Sequence, residues 1–252
     1  MREKNIIFGL HAVEALLTKQ PERIKRVYLL HLAGQQGHHS SLSPILKICR
    51  DSGLAYELVS RAALDHLSGQ GKHQGVVIDC SKTRSYSEKD LKFILDALPD
   101  PPLLLILDSI QDPHNLGACL RTAEAAGVQV VVAPKDKSVG LTGTVMKVAC
   151  GAAEVVPFVQ VTNLARVMED LKKRGIWLFG MAEEAEKSIY EADLKRPLAL
   201  VLGNEGKGLR HLTRENCDLL LKIPMQGSVS SLNVAVAAGV CLFEVLRQRL
   251  SW

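Results

Sequence analysis

The chain has 252 residues and a formal net charge of +4, with 47% hydrophobic and 23% charged residues. This composition is that of an ordinary globular protein and excludes a chain that is disordered throughout. The longest uninterrupted apolar stretches, such as Leu103–Leu107, span five residues and are too short to cross a bilayer. No charged-then-apolar leader opens the chain, so we expect a cytoplasmic protein with no membrane partner.

The first 80 residues predict a small α/β domain. Helical apolar spacing alternates with short strand-like runs in the order helix Leu10–Thr18, strand Arg26–Leu30, helix Ser43–Asp51, strand Tyr56–Val59, helix Ala62–Leu67 and strand Gly75–Cys80. Polar loops are predicted at 34–43 and 68–75, and the second, with Lys72, His73 and Gln74, could follow a phosphate backbone or be a plain connector. This segment contains ten Lys and Arg and seven Asp and Glu, so most of the net positive charge of the chain lies here.

Residues 81–101 are polar and end in a proline-rich segment, which indicates a linker. From 102 to 252 the chain predicts near-continuous apolar strands at Leu103–Leu107, Val128–Ala133, Glu154–Val159, Ile176–Gly180, Leu198–Leu202 and Leu219–Ile223. Helices are predicted between them at 116–126, 141–149, 164–174 and 231–249. Such strands with helical crossovers indicate an α/β fold with a mostly parallel sheet.

Three polar segments follow predicted strands, which is where open α/β sheets bind ligands. The first runs from Asp112 to Arg121 and begins with a turn at Pro113. Asn115 could be only the N-cap of the next helix, and Arg121 only a surface cation. Spacing alone therefore leaves open whether this segment is a site.

The second segment, Gly203–Leu209, contains three glycines and Glu205. It is not a phosphate-binding P-loop, because Lys207 is followed by glycine instead of Ser or Thr, and the dinucleotide pattern G-x-G-x-x-G is absent as well. An acidic residue in such a loop argues against binding of a bare phosphate.

The third segment runs from Ile223 to Asn233. Ser228, Ser230 and Ser231 resemble a cluster of helix N-cap residues, and the hydrolase pattern G-x-S-x-G is absent. Asn233 lies inside the first turn of the predicted apolar helix, where a buried amide would need hydrogen-bonding partners.

Six cysteines are spread along the chain without any C-x-x-C pair. This spacing excludes the common zinc and thioredoxin motifs. We therefore expect free thiols and no metal site.

The three segments together resemble the SpoU (TrmH) family of RNA 2′-O-methyltransferases in the SPOUT superfamily. All three family motifs occur in order, as Asn115…Arg121, Gly203-Asn-Glu205 with Gly208, and Ile223-Pro-Met…Ser231-Leu-Asn233. The resemblance extends over most of the chain and is strongest to members that methylate a guanosine of 23S rRNA. It departs at Ala235 and Ala238, where relatives often carry Ser and Thr.

The resemblance implies a fold and an organisation that periodicity does not reveal. Residues 102–252 are expected to form a methyltransferase domain with a deep trefoil knot, an exception to the rule that chains avoid knots. Residues 1–80 are expected to be an L30-like RNA-binding domain, joined by a linker at 81–101. The protein is expected to be a homodimer that associates through the knotted domain.

The resemblance also implies the reaction: methyl transfer from S-adenosylmethionine to the ribose 2′-hydroxyl of a guanosine in 23S rRNA. It places cofactor-binding main-chain groups at Gly203, Ile223 and Leu232. The implied catalytic residues are Asn115, Arg121, Glu205, Ser231 and Asn233.

The identity of the base stays open at this point. The family proposal assigns it to Arg121, yet a guanidinium normally stays protonated. Arg121 either loses its proton in a special site or stabilises the developing alkoxide and the adjacent phosphate. Glu205 is the alternative base.

Two other functions compete with this interpretation. A tRNA 2′-O-methyltransferase of the same family would share the motifs, but minimal enzymes of that kind tend to lack the L30-like domain. A non-catalytic RNA-binding assembly factor would be expected to lose some motif residues, and all of them are present here.

Overall fold

The computed structural model describes residues 5–31, 42–81 and 86–250. They form two compact units. The first holds the described residues up to 81 together with Cys150–Val155, and the second holds residues 86–149 and 156–250. Most of the loop predicted at 34–43 lies outside the described residues.

The first unit contains a four-stranded mixed sheet in the order β1-β4-β2-β3. Its strands are β1 (Asn5–Phe8), β2 (Ile24–Leu30), β3 (Tyr56–Val59) and β4 (Val76–Cys80), and its first three helices are α1 (Leu10–Lys19), α2 (Ser43–Asp51) and α3 (Arg61–Leu67). Helices α1 and α2 share one apolar core with the sheet. The predicted small α/β domain is confirmed, and β1 is a strand that the sequence analysis missed.

The loop at 68–75 is held by its own side chains. His73 is buried, with Nε2 3.0 Å from Asp65 Oδ1 and Nδ1 accepting from the Gly75 N–H at 3.0 Å. Gln74 Oε1 accepts from the Leu10 N–H at 3.0 Å, at the first turn of α1. His73 and Gln74 therefore bind the protein itself, which favours the connector interpretation.

The second unit contains a seven-stranded sheet in the order β7-β6-β5-β10-β8-β11-β9, and its paired strands run parallel. The strands are β5 (Leu103–Leu107), β6 (Val130–Pro134), β7 (Phe158–Val161), β8 (Trp177–Met181), β9 (Lys187–Ser188), β10 (Leu198–Leu202) and β11 (Leu219–Lys222). All residues of β5 and β10 are buried. Each fully buried leucine contributes about 2 kcal/mol of transfer free energy, so these central strands anchor the unit. The predicted α/β class with a mostly parallel sheet is confirmed.

The remaining helices are α4 (Glu88–Asp96), α5 (Pro113–Ala125), α6 (Gly143–Val148), α7 (Ala152–Val155, in the first unit), α8 (Leu164–Lys173), α9 (His211–Asn216) and α10 (Val234–Leu250). Helix α5 packs against both α6 and α10. Gly117 permits the contact with α6, because a Cβ there would lie 2.7 Å from Val148 Cβ. No helix within the described ranges is long and apolar enough to span a membrane. The trefoil knot stays a prediction.

The strand predicted from Glu154 is wrong at its start. Ala152–Val155 form the short helix α7, so the first two residues of the predicted strand are helical. The strand β7 begins only after Pro157. Glu154 is instead buried in the first unit, where it forms an ion pair with Arg23.

Candidate active site

The carboxyl ends of β5 and β10 lie side by side near the middle of the large sheet, with Leu107 paired to Leu202. Successive strands continue from β5 towards β6 and β7, whereas β10 lies on the other side of β5. Such a reversal of strand order opens a crevice at the carboxyl edge of a parallel sheet. The segments that leave β5 and β10 carry the first two sequence motifs into this region.

Helix α5 begins at Pro113 and not at residue 116, because Asp112 is its N-cap. Asp112 Oδ1 accepts a hydrogen bond from the His114 N–H at 2.8 Å. The interpretation of Asn115 as an N-cap is therefore wrong. Its amide Nδ2 instead donates to Glu205 Oε1 at 2.7 Å.

Helix α10 begins at Val234, so Ser231 precedes the helix and the predicted serine cap cluster is wrong. Asn233 takes the capping role: its Oδ1 accepts from the Ala235 N–H at 3.0 Å and the Val236 N–H at 3.4 Å. Its Nδ2 donates to Asn115 Oδ1 at 2.9 Å and to Glu205 Oε1 at 2.5 Å. The amide thus has the partners that its position demands.

Glu205 is the point where the three motifs meet. Its Oε1 accepts from Asn115 Nδ2, from Asn233 Nδ2 and from the Val234 N–H at 3.2 Å. A carboxylate with acceptor oxygens alone matches three converging donors. Its position at the N-terminus of α10 also places negative charge where the helix dipole favours it.

The glycine segment is a tight turn and not an open cradle. Asn204 and Gly208 exchange backbone hydrogen bonds of 3.1 Å and 2.8 Å. A Cβ at Gly203 would lie 2.2 Å from the carbonyl carbon of Gly208, so only glycine permits this approach. Asn204 Oδ1 accepts from the Gly206 N–H at 2.9 Å. The turn thereby presents Glu205 to α5 and α10.

A cavity of about 750 Å³ lies beside this turn, in the second unit. Its wall includes five residues singled out from the sequence, namely Gly203, Glu205, Ile223, Ser231 and Leu232. Asn115 and Asn233 adjoin it through their hydrogen bonds to Glu205. Arg121 is exposed on α5 and is not part of the cavity wall.

The wall also contains residues that the sequence analysis missed. Glu183 and Glu184 follow β8, and Arg214 on α9 forms an ion pair with Glu184. The sequence signal that could have found Glu183 and Glu184 is their position just after a third strand, whose carboxyl end lies at the same edge of the sheet. The cavity is within the range of about 300–1,000 Å³ that holds small organic ligands, and its wall combines charged and aliphatic groups.

Two buried thiols lie on α5 and α10, the helices that adjoin this site. Burial raises the pKa of Cys119 and Cys241 to about 12, and for Cys119 the negative charge of Glu205 adds to the effect. Both thiols are therefore neutral at ordinary pH. Within the described ranges, no group of three His, Cys, Asp or Glu side chains is arranged to hold a metal ion.

Comparison with known proteins gives matches along the chain. Residues 102–243 match the model of the SpoU rRNA Methylase family, and residues 6–86 match the model described as RNA 2′-O ribose methyltransferase substrate binding. A relative from Shewanella oneidensis is 54% identical over 251 residues, which cover 100% of both chains. That relative is named 23S rRNA (guanosine-2′-O-)-methyltransferase RlmB.

Solved structures give a consistent fold. The crystal structure of an RNA 2′-O ribose methyltransferase is 28% identical, with a TM-score of 0.73, covering 98% of this chain and 89% of that chain. The SpoU methyltransferase AviRb from Streptomyces viridochromogenes, solved with its cofactor AdoMet, has a TM-score of 0.71 at 22% identity. The match covers 99% of this chain and 92% of AviRb, and it shows likeness of fold alone.

Proposed function

Because this chain belongs to the SpoU rRNA methylase family, we propose that it transfers a methyl group from S-adenosylmethionine to the ribose 2′-hydroxyl of a guanosine in 23S rRNA. The observation that carries the proposal is the convergence of three motifs at one cavity. Asn115, Glu205 and Asn233 form one hydrogen-bonded cluster, and Glu205 belongs to the cavity wall.

The cavity is the proposed cofactor site. Main-chain groups of Gly203, Ile223 and Leu232 are proposed to hold S-adenosylmethionine, and all three residues line the wall. When bound, the cofactor supplies a methyl group already activated by a sulfonium. The protein then has mainly to position two reactants, and good positioning lowers such barriers by about 7–11 kcal/mol.

Glu205 serves as an anchor in this proposal and not as the base. Its Oε1 is engaged by three donors, which fix Asn115 and the first turn of α10. Asn115, Asn233 and Ser231 orient Arg121 and the ribose. Arg121, as a guanidinium, stabilises the negative charge that develops on the 2′-oxygen and the charge of the neighbouring phosphate.

The first unit is proposed to bind the RNA. Its match to the substrate-binding model and its excess of basic residues support this role. The proposed domains are 1–80 and 102–252, and residues 86–101 of the linker predicted at 81–101, which include α4, belong to the second unit. The activity is assigned to the cytoplasm because its substrate is ribosomal RNA.

A second copy of the chain is the proposed partner of α10. Val236, Phe243 and Leu250 recur every seven residues on this helix and are 52%, 48% and 53% exposed. Residues at this interval lie on one helix face. An apolar stripe of this kind favours a homodimer formed through the methyltransferase domain.

The test is transfer of labelled methyl from S-adenosylmethionine to purified rRNA and, in parallel, to tRNA, followed by digestion to nucleosides. We expect label in 2′-O-methylguanosine from 23S rRNA. Label on a base, or label in tRNA alone, would contradict the proposal, and the second result would establish the tRNA enzyme instead. Absence of transfer to either RNA, with cofactor bound, would favour the non-catalytic assembly factor.

A further inference from the structure

The proposed reaction gives no role to the buried carboxylate that follows β5. Asp108 directly follows β5 and is 0% exposed. Its Oδ1 accepts from Arg210 Nε at 2.6 Å and from Ser109 Oγ at 3.1 Å, and its Oδ2 accepts from the Arg210 backbone N–H at 3.0 Å. Both oxygens are therefore engaged, and Arg210 binds both of them.

A carboxylate is costly to bury unless charge and hydrogen bonds compensate it. A fully satisfied buried network is also rigid, because each member has one arrangement that satisfies its partners. The Asp108 N–H donates to the carbonyl of Leu202 at 2.8 Å, which fixes the carboxylate beside the last residue of β10. The glycine turn begins at the next residue of the chain.

Asp108 and Ser109 hold this turn at both ends. At its start, Asn204 Nδ2 donates to the carbonyl of Ser109 at 3.2 Å. At its end, Arg210 is bound to Asp108 by side chain and backbone. Ser109 has a φ of +65°, a left-handed conformation that a serine keeps only when its surroundings impose it. The conformation of residues 108 and 109 therefore places their hydrogen-bonding groups against both ends of the turn.

We propose that Asp108 and Arg210 are positioning residues that hold the glycine turn in its cofactor-binding shape. Neither residue lines the cavity, so each acts through Gly203 and Glu205, which do. The same segment continues into Asp112 and α5. Asp108 thereby fixes the position of the turn that carries Glu205 relative to the helix that carries Asn115. This inference rests on the proposed cofactor site.

The primary test is Asp108→Asn in the full chain, with the Kd for S-adenosylmethionine measured by calorimetry. The new amide group points a donor at one of the donors that now reach the carboxylate. If the turn then holds its binding shape in about a tenth of molecules, the Kd rises about tenfold. We expect that rise, together with a larger change in the KM for S-adenosylmethionine than in kcat.

If Asp108→Asn does not fold, the variants Arg210→Met and Arg210→Lys test the same contact from its other side. Both retain the backbone N–H donor to Asp108, and only lysine retains a cation. We expect Arg210→Met to raise the Kd, and Arg210→Lys to recover part of the loss. A Kd within twofold of wild type in Arg210→Met would overturn the proposal.

Leu171→Ala is the matched control for general loss of stability. Leu171 is fully buried on α8, in the core of the same unit. We expect it to lower the Tm without changing the Kd, and a Kd increase equal to that of Asp108→Asn would also overturn the proposal. The Kd for S-adenosylmethionine is measured without RNA. A wild-type protein that binds the cofactor but does not methylate rRNA would therefore contradict the proposed function and leave the positioning role of Asp108 and Arg210 standing.

Discussion

Asn115 and Glu205 lie 90 residues apart in the chain, yet Asn115 Nδ2 donates to Glu205 Oε1 at 2.7 Å. This hydrogen bond joins the first turn of α5 to the tip of the glycine turn after β10. Asn233 completes the cluster by donating to both side chains. The most direct predictions follow from this arrangement.

Glu205→Gln should reduce methyl transfer at least tenfold. The substitution removes the charge at which three donors converge, and a hydrogen bond to a charged group contributes about 1.5–3 kcal/mol. The measurement is single-turnover transfer of labelled methyl to rRNA. Glu169→Gln, at an exposed position on α8, is the control and should keep wild-type rates. Equal rates for the two variants would argue against an anchoring role for Glu205.

Arg121→Ala should abolish methyl transfer while the affinity for S-adenosylmethionine stays close to wild type. Arg121 is exposed on α5 and does not form the cavity wall, so its loss leaves the cofactor site intact. Calorimetry gives the affinity and labelled transfer gives the rate. Lys173→Ala removes an exposed cation from α8 and should preserve both. Near-normal turnover of Arg121→Ala would remove the role proposed for the guanidinium.

Gly203→Ala should lower the Tm by several degrees and abolish cofactor binding. The added Cβ would lie 2.2 Å from the carbonyl carbon of Gly208, so the turn must open. Gly206→Ala is the matched control in the same turn, because its Cβ would meet nothing closer than Asn204 Oδ1 at 3.7 Å. Thermal unfolding should show a wild-type Tm for Gly206→Ala. Similar Tm values for both variants would contradict the tight-turn explanation.

Phe243→Glu should convert the proposed dimer to a monomer. A charge placed within the exposed stripe of α10 must be desolvated when a second copy packs there. Sedimentation velocity at micromolar concentration measures the change. Phe93→Glu is a stringent control, because Phe93 on α4 is 74% exposed and so is the more accessible apolar side chain. Dissociation by Phe93→Glu but not by Phe243→Glu would move the interface away from α10.

Alkaline pH should destabilise the fold through its buried thiols. Burial raises the pKa of Cys119, Cys217 and Cys241 to about 12, whereas an unfolded cysteine titrates near pH 8.5. The unfolded state therefore loses these protons first, and stability falls as the pH rises between about 8.5 and 12. Each thiol contributes a loss of about 2 kcal/mol between pH 8 and pH 10.

Urea unfolding of wild type and Cys241→Ala at pH 8 and pH 10 isolates this effect. Other groups that titrate in this range are common to both proteins, so they cancel in the comparison. The alanine variant should lose about 2 kcal/mol less than wild type over the interval. Equal losses in the two proteins would show that Cys241 is not the source.

Much of the fold could be predicted because its signals are local. The strands Leu103–Leu107 and Leu198–Leu202 were predicted at their observed bounds, since each is an apolar run of five residues ended by polar or glycine-rich sequence. The error at Glu154 had a tertiary origin. This carboxylate resembles the polar end of a strand, but it lies in α7 and forms a buried ion pair with Arg23, a residue distant in the chain.

The sequence by itself determined the fold class, the family and the residues that carry the three motifs, because these depend on residue type and spacing along the chain. Only the tertiary structure decided that Asp112 and Asn233 cap their helices, that Glu205 receives three donors, and that Asp108 binds Arg210. Asn115 and Glu205 are 90 residues apart, and the distance between them depends on the order and register of β5 and β10. Hydrogen bonds between residues so far apart in the chain follow from how the strands pair, and no local pattern of residues encodes that pairing.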